Sequence, residues 1–149
     1  SFAWLESHQP PIPKKRVLCH GDLNPTNLLV ENNRVTGVLD WSGLSFGHPA
    51  REIGVVRAGL RTIPLLGPMG SWMGGRIADS LTRHYTARRP LDEAAARHFE
   101  AWILLDLACN YRDTLNGIRE DRGPWDNPRG QRHCARYFEA ITGVPLPVG

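Results

Sequence analysis

The chain has 149 residues, of which 41% are hydrophobic and 22% charged, enough for one compact domain with its own core. Its formal net charge of +3 comes from basic residues scattered singly among acidic ones, which argues against a nucleic-acid-binding surface. No apolar stretch approaches the length of a membrane span, and residues 1–16 lack the pattern of a signal peptide. We therefore expect a cytoplasmic protein that binds neither nucleic acid nor membrane.

The first 15 residues predict the end of a helix followed by an irregular linker, because an apolar start gives way to several prolines. Further on, the apolar runs 28–30 and 35–39 flank an Asn-rich segment, 31–34. Two short strands around such a turn are typical of a β-hairpin.

The rest of the chain predicts about four helices, since apolar residues recur there at helical spacing. We expect these helices at 48–63, 71–88, 92–116 and 131–142, with Asp92 capping the third and a loop over 117–130. Four glycines after the first of these helices predict a break between it and the second: Gly67, Gly70, Gly74 and Gly75.

Four polar residues lie within a short stretch around the predicted hairpin: His20, Asp22, Asn27 and Asp40. Phosphoryl transfer to an alcohol needs a carboxylate beside the attacking hydroxyl and oxygen ligands for magnesium. Magnesium is often held by only one or two carboxylates, with waters and phosphates as its other ligands. Asp22, the amide oxygen of Asn27 and Asp40 could supply these groups.

The spacing of these residues favours a shared site. Pro25 stiffens a tight loop between Asp22 and Asn27, and the hairpin is expected to return Asp40 to the side of Asn27. Other folds could build the same geometry, so the spacing alone is suggestive.

The sequence of these residues resembles the signature of the aminoglycoside phosphotransferase and choline kinase-like family. The motif reads His20-Gly21-Asp22-Leu23-Asn24-Pro25-Thr26-Asn27-Leu28-Leu29-Val30, followed by Val38-Leu39-Asp40-Trp41. The resemblance is specific over residues 16–54. It implies the C-terminal lobe of a protein-kinase-like fold, α+β and mainly helical, with a catalytic loop and a small hairpin before the helices.

The resemblance also implies roles for individual residues. Asp22 is expected to be the catalytic base, Asn27 and Asp40 to bind the metal and through it the nucleotide, and the ring of His20 to shape the loop. Two residues depart from the family pattern, because Asp is frequent where His48 stands and usual where Glu52 stands. Glu52 is expected to brace the catalytic loop only if its longer side chain reaches the same backbone groups.

The implied activity is ATP-dependent and Mg²⁺-dependent transfer of the γ-phosphoryl group to a hydroxyl of a small molecule: an aminoglycoside-like compound, a sugar or an amino alcohol. The family's nucleotide-gripping N-terminal lobe has no counterpart in residues 1–15. We therefore expect residues 16–149 to be the catalytic lobe and the chain to be inactive alone.

Two alternatives stay open. A non-catalytic helical module could keep the loop for structure and bind a partner, and the apolar residues Phe2, Trp4 and Leu5, left bare, would favour self-association. On the third helix, a polar stripe suggests a site for a cationic or polyhydroxyl substrate, although its acids could equally form salt bridges with arginines. The stripe consists of Trp102, Asp106, Asn110 and Asp113.

Overall fold

The computed structural model describes residues 1–63, 67–118 and 125–146, and for residues 67 and 68 the backbone alone. Helices dominate these ranges, joined to two short antiparallel ribbons. The helices are α1 (Phe2–Ser7), α2 (Ala50–Thr62), α3 (Gly67–Thr86), α4 (Glu93–Leu115) and α5 (Pro128–Thr142); the strands are β1 (Val17–Cys19), β2 (Leu28–Glu31), β3 (Arg34–Val38) and β4 (Ser45–Gly47).

The predicted hairpin is confirmed, because β2 pairs with β3 in antiparallel register. Asn32 and Asn33 form its turn with φ angles of 49° and 60°, a left-handed conformation that asparagine adopts more readily than most residues. The second ribbon was not predicted. It pairs β1 with β4, and Cys19 lies opposite Ser45.

Caps account for the observed helix ends. The Asp92 side chain accepts a hydrogen bond from the Ala95 amide at 2.9 Å, which confirms the predicted start of α4. Helix α5 begins at Pro128, three residues earlier than expected, because Asn127 caps it and proline is well tolerated in the first helical turn. Of the predicted 117–130 loop, residues 119–124 lie outside the described part of the chain.

The predicted break at the four glycines is wrong, because Gly67, Gly70, Gly74 and Gly75 all lie within α3. At Gly74 the reason is close packing: a Cβ atom there would lie only 1.9 Å from the backbone oxygen of Leu60 in α2. A residue that disfavours helices in isolation is here required by the helix contact.

The main apolar core lies among α1, α2, α4 and α5. Phe138 and Leu104 are fully buried in it, and Leu5 of α1 is 8% exposed. Trp4 also packs against this core. The prediction that Phe2, Trp4 and Leu5 are left bare is therefore wrong for Trp4 and Leu5. Of the three residues, only Phe2 is largely exposed. Among the helices described, none is long and apolar enough to cross a bilayer.

Candidate active site

The loop after β1 makes a close backbone contact with the turn that precedes β4. Gly21 has a φ of 88°, and a Cβ atom on it would lie 2.5 Å from the Gly43 carbonyl oxygen. Both the backbone conformation and the available space therefore require glycine at position 21. The contact fixes the residues on either side of Gly21, which are His20 and Asp22.

The two residues that depart from the family pattern, His48 and Glu52, both form hydrogen bonds with backbone N–H groups. The Glu52 carboxylate accepts hydrogen bonds from the backbone N–H groups of His20 at 2.6 Å and Gly21 at 3.2 Å. The expectation that Glu52 reaches the loop is confirmed. His48 Nδ1 accepts the Ala50 amide at 3.1 Å and so satisfies one of the free N–H groups at the start of this helix.

Asp22 is held by two side-chain amides. Asn24 Nδ2 donates to Asp22 Oδ1 at 3.0 Å, and Asn27 Nδ2 donates to Asp22 Oδ2 at 3.2 Å and to the Asp22 backbone oxygen at 2.9 Å. The carboxylate is thus oriented through both of its oxygens while the residue stays exposed. The role of Asn24 was not predicted; the available signal was an asparagine two residues after an aspartate, a common turn arrangement.

The His20 ring links the loop to the strand that leads to Asp40. Its Nδ1 accepts the Asp22 amide at 3.3 Å, so that Nε2 carries the proton and donates it to the Leu39 backbone oxygen at 2.8 Å. The ring also contacts Trp41, with centroids 4.7 Å apart. These contacts confirm the expectation that His20 shapes the loop.

Asp40 adopts a left-handed backbone conformation, with φ 56° and ψ 71°. Such a conformation is uncommon outside glycine and occurs often at functional sites. Asp40 is fully exposed, and hydrogen bonds from the side chain and backbone N–H of Ser42 hold the pKa of Asp40 below its ordinary value of 3.8. The side chain is therefore a carboxylate at neutral pH.

The hairpin brings the backbones on either side of Asn27 and Asp40 together. Leu28 lies opposite Val38 in the ribbon, and the Leu39 amide donates to the Asn27 backbone oxygen at 2.8 Å. Asp40 directly follows Leu39, the donor of this hydrogen bond. The backbone pairing predicted from the hairpin is present.

The chemistry of this donor set suits magnesium. Asn27 uses its amide nitrogen toward Asp22, and within the described residues its side-chain oxygen accepts no hydrogen bond. Together with the exposed carboxylates of Asp22 and Asp40, it offers hard oxygen ligands and no soft ones. Across the described ranges no three His, Cys, Asp or Glu side chains converge as a closed metal site. An open site with few protein ligands is the form that Mg²⁺ takes when substrate phosphates complete its shell.

Comparison with known proteins decides the family. The profile of the phosphotransferase enzyme family (APH) matches residues 1–94. The chain belongs to this family. The sequence is also 28% identical over 110 residues to hygromycin-B 4-O-kinase of Escherichia coli, a match that covers 73% of the chain and 28% of that kinase.

Solved structures agree with this family assignment. A thermostable mutant of aminoglycoside phosphotransferase APH(4)-Ia, in ternary complex with AMP-PNP and hygromycin B, is 25% identical and superposes with a TM-score of 0.62 over 96% of this chain and 43% of that one. A thermostable mutant in the apo form gives 24% identity and a TM-score of 0.60, again over 43% of its length. The predicted fold class, the mainly helical C-terminal part of a protein-kinase-like fold, is confirmed. The chain spans less than half the length of these relatives.

The polar stripe on α4 is connected to the scaffold of the loop that carries Asp22. The Arg51 guanidinium lies 5.8 Å from the centroid of the Trp102 ring, and Arg51 also donates to the Ser45 hydroxyl at 2.8 Å. Ser45 lies opposite Cys19, the residue before His20. Asn110 donates to Asp106 at 3.1 Å, and within the described residues neither acid of the stripe forms an ion pair.

Proposed function

We propose that this chain is the catalytic part of an ATP-dependent phosphotransferase that transfers the γ-phosphoryl group to a hydroxyl of a small molecule. The observation that carries the proposal is the exposed Asp22 carboxylate, held by Asn24 and Asn27 on a loop that Glu52 braces. A positioned carboxylate of this kind can orient an acceptor hydroxyl and take up its proton as the new P–O bond forms.

Asn27 and Asp40 are the proposed magnesium ligands and, through the metal, hold the nucleotide phosphates. Magnesium, when bound, neutralises charge that develops on the phosphates. Asp40 suits this role because its exposed carboxylate is ionised at neutral pH and available to a cation. The AMP-PNP in a related phosphotransferase supports ATP as the phosphoryl donor.

The acceptor is proposed to be an aminoglycoside-like molecule, with sugars and amino alcohols as the wider class. Hygromycin B in the relatives' names supports a polyhydroxyl acceptor with cationic groups. Asp106 and Asp113 of the α4 stripe are exposed or half-buried and form no ion pair within the described ranges, so they could receive such groups.

We propose that the acceptor and the nucleotide are bound mainly by different parts of the protein. Residues 16–149 supply the catalytic loop and the acceptor side, and a lobe outside this chain grips the nucleotide. The proposal rests on the coverage of the relatives, since the chain matches only 43% of the structure that holds AMP-PNP. The chain alone is then expected to be inactive.

Magnesium-dependent ATP turnover tests the function. The protein encoded by the complete reading frame and the 149-residue chain are each assayed with a panel of aminoglycosides, sugars and amino alcohols. The phosphorylated product is identified by mass spectrometry. We expect turnover by the complete reading frame alone. The Asp22→Asn variant should lower it by about 10²-fold or more, the usual scale for a positioned base.

Glu139→Gln is the matched control, because it neutralises an exposed carboxylate on α5, outside the loop. An Asp22→Asn enzyme with undiminished turnover would remove Asp22 from the proposed role. If the complete reading frame neither turns over ATP nor binds it, the chain is better explained as a helical binding module that retains a kinase-like loop.

A further inference from the structure

A buried polar network joins four helices. Its residues are distant in sequence from the catalytic loop. Glu100 on α4 is 1% exposed, and its Oε1 lies 2.5 Å from Arg57 Nε on α2 as an ion pair. Its Oε2 accepts the Tyr137 hydroxyl of α5 at 2.5 Å, and that hydroxyl in turn accepts from Arg61 of α2 at 2.8 Å. Arg61 also pairs with Asp79 of α3.

Burial raises the pKa of Glu100, and the Tyr137 hydroxyl and the Arg57 guanidinium oppose that shift. A carboxyl group buried so deeply is costly unless its partners stay in place. The network therefore ties the position of α2 to those of α4 and α5.

Helices α2 and α4 touch backbone to backbone one turn before this ion pair. A Cβ atom on Gly54 would lie 2.5 Å from the Ala96 carbonyl oxygen and 2.9 Å from the Phe99 Cβ. Glu52, which braces the catalytic loop, precedes Gly54 by two residues, and Arg57 follows it by three. At a rise of 1.5 Å per residue along the helix axis, Glu52 lies about 3 Å before Gly54 and Arg57 about 4.5 Å after it.

We propose that Glu100 is a positioning residue for the catalytic loop: by holding Arg57 it prevents α2 from turning about Gly54, and so keeps the Glu52 carboxylate on the backbone N–H groups of His20 and Gly21. Naming the loop catalytic rests on the proposed function. The mechanical link between Glu100 and the loop does not.

The second acidic partner of Arg57 provides a contrast. Glu93 Oε2 lies 2.8 Å from Arg57, but its side chain is 56% exposed. Arg57 Nη1 donates a hydrogen bond to Glu93, but an exposed ion pair contributes little to structure. Glu100 is buried, accepts the Tyr137 hydroxyl on Oε2, and lies with Oε1 against the Arg57 guanidinium as a charge contact without a hydrogen bond. Positioning of α2 is therefore assigned to Glu100 and not to Glu93.

Amide hydrogen exchange of the 149-residue chain, followed by NMR, tests the link. In Glu100→Gln, the His20 and Gly21 amides should exchange about tenfold faster relative to the core amides of α4, the scale set by weakening one hydrogen bond to a charged acceptor. Glu93→Gln makes the same chemical change on the same arginine and should leave these two amides unchanged. Trp125→Phe removes hydrogen bonds to Thr62 at the far end of α2 and controls for general loss of stability.

Equal effects of Glu100→Gln and of Trp125→Phe on His20 and Gly21, compared at the same free energy of unfolding, would overturn the proposal. So would unchanged exchange in Glu100→Gln. If Glu100→Gln does not fold, Tyr137→Phe, which removes one hydrogen bond to Glu100, must accelerate the same two amides. The readout needs no turnover, so its failure is distinct from a failure of the proposed enzymatic activity.

Discussion

The two regions of the molecule are stabilised in different ways. In the region of β1 to β4, large apolar side chains are substantially exposed: Val30 is 63% exposed and Phe46 71%. In the helical region, Phe138 and Leu104 are fully buried in the main core. The loop region is held instead by hydrogen bonds and by backbone conformations such as those of Gly21 and Asp40.

The difference separates folding from positioning. Apolar burial in the helices supplies most of the favourable free energy of folding, because it scales with the area removed from water. The polar contacts of the loop each contribute little in free energy, yet they determine where Asp22 lies. Helix α2 connects the regions, since it lies in the helical core and carries Glu52.

The largest contrast between the regions should come from two phenylalanines. Phe138→Ala is expected to lower the free energy of unfolding by about 3–5 kcal/mol, because it leaves a cavity in the core. Phe46→Ala, in the exposed ribbon, should change it by less than about 0.5 kcal/mol. Urea unfolding measures both, and similar losses for the two variants would mean that the ribbon is buried in solution.

Two glycines sharpen the contrast for backbone effects. Gly21→Ala should cost about 1–3 kcal/mol from its left-handed conformation, and the contact with Gly43 adds to that. Gly59→Ala lies in the interior of α2, where an added Cβ meets nothing within 4 Å, and should raise stability by about 0.5–1 kcal/mol. Opposite signs in thermal unfolding are the expected result, and a neutral Gly21→Ala would count against the tight loop.

The link between the regions is tested by Glu52→Ala. Two loop N–H groups lose their acceptor, and we expect a loss of about 2 kcal/mol, the scale of hydrogen bonds to a charged group. Glu31→Ala removes an exposed carboxylate from the hairpin and should have little effect. Urea unfolding gives the comparison; equal values for the two variants would show that Glu52 does not hold the loop.

In the loop region, the hairpin could be predicted from the sequence because its determinants are close in the chain, and the roles of His20 and Glu52 could be predicted from the resemblance to the family. The hairpin follows from its Asn-rich turn, and the roles assigned to His20 and Glu52 in shaping the loop match their hydrogen bonds. The chemical roles of Asp22, Asn27 and Asp40 stay predictions. Only an activity measurement tests what these side chains do.

The parts that could not be predicted depend on contacts between distant segments. No local pattern marks Glu100 as buried, since its partners lie on α2 and α5. The pairing of β1 with β4 joins two three-residue strands, too short for a periodicity signal. In α3, the need for a small residue against Leu60 outweighs the low helix propensity of glycine, and sequence alone does not reveal that neighbour.

The smallest expected effect concerns His98, which lies in the helical region and not in the site. Burial lowers the pKa of His98 below its ordinary value of 6.5, and a hydrogen bond with the His8 backbone opposes part of that shift. The unfolded chain therefore takes up a proton at this residue at higher pH than the folded chain does. Stability due to neutral His98 is present above about pH 6.5 and is lost as the pH falls below it, by less than about 1.4 kcal/mol per pH unit.

Urea unfolding of the chain and of His98→Gln from about pH 7.5 to about pH 5 should show that the free energy of unfolding depends less on pH in the variant. His84→Gln is the control for losing an exposed imidazole. If the two pH dependences coincide, His98 is not held neutral by its burial.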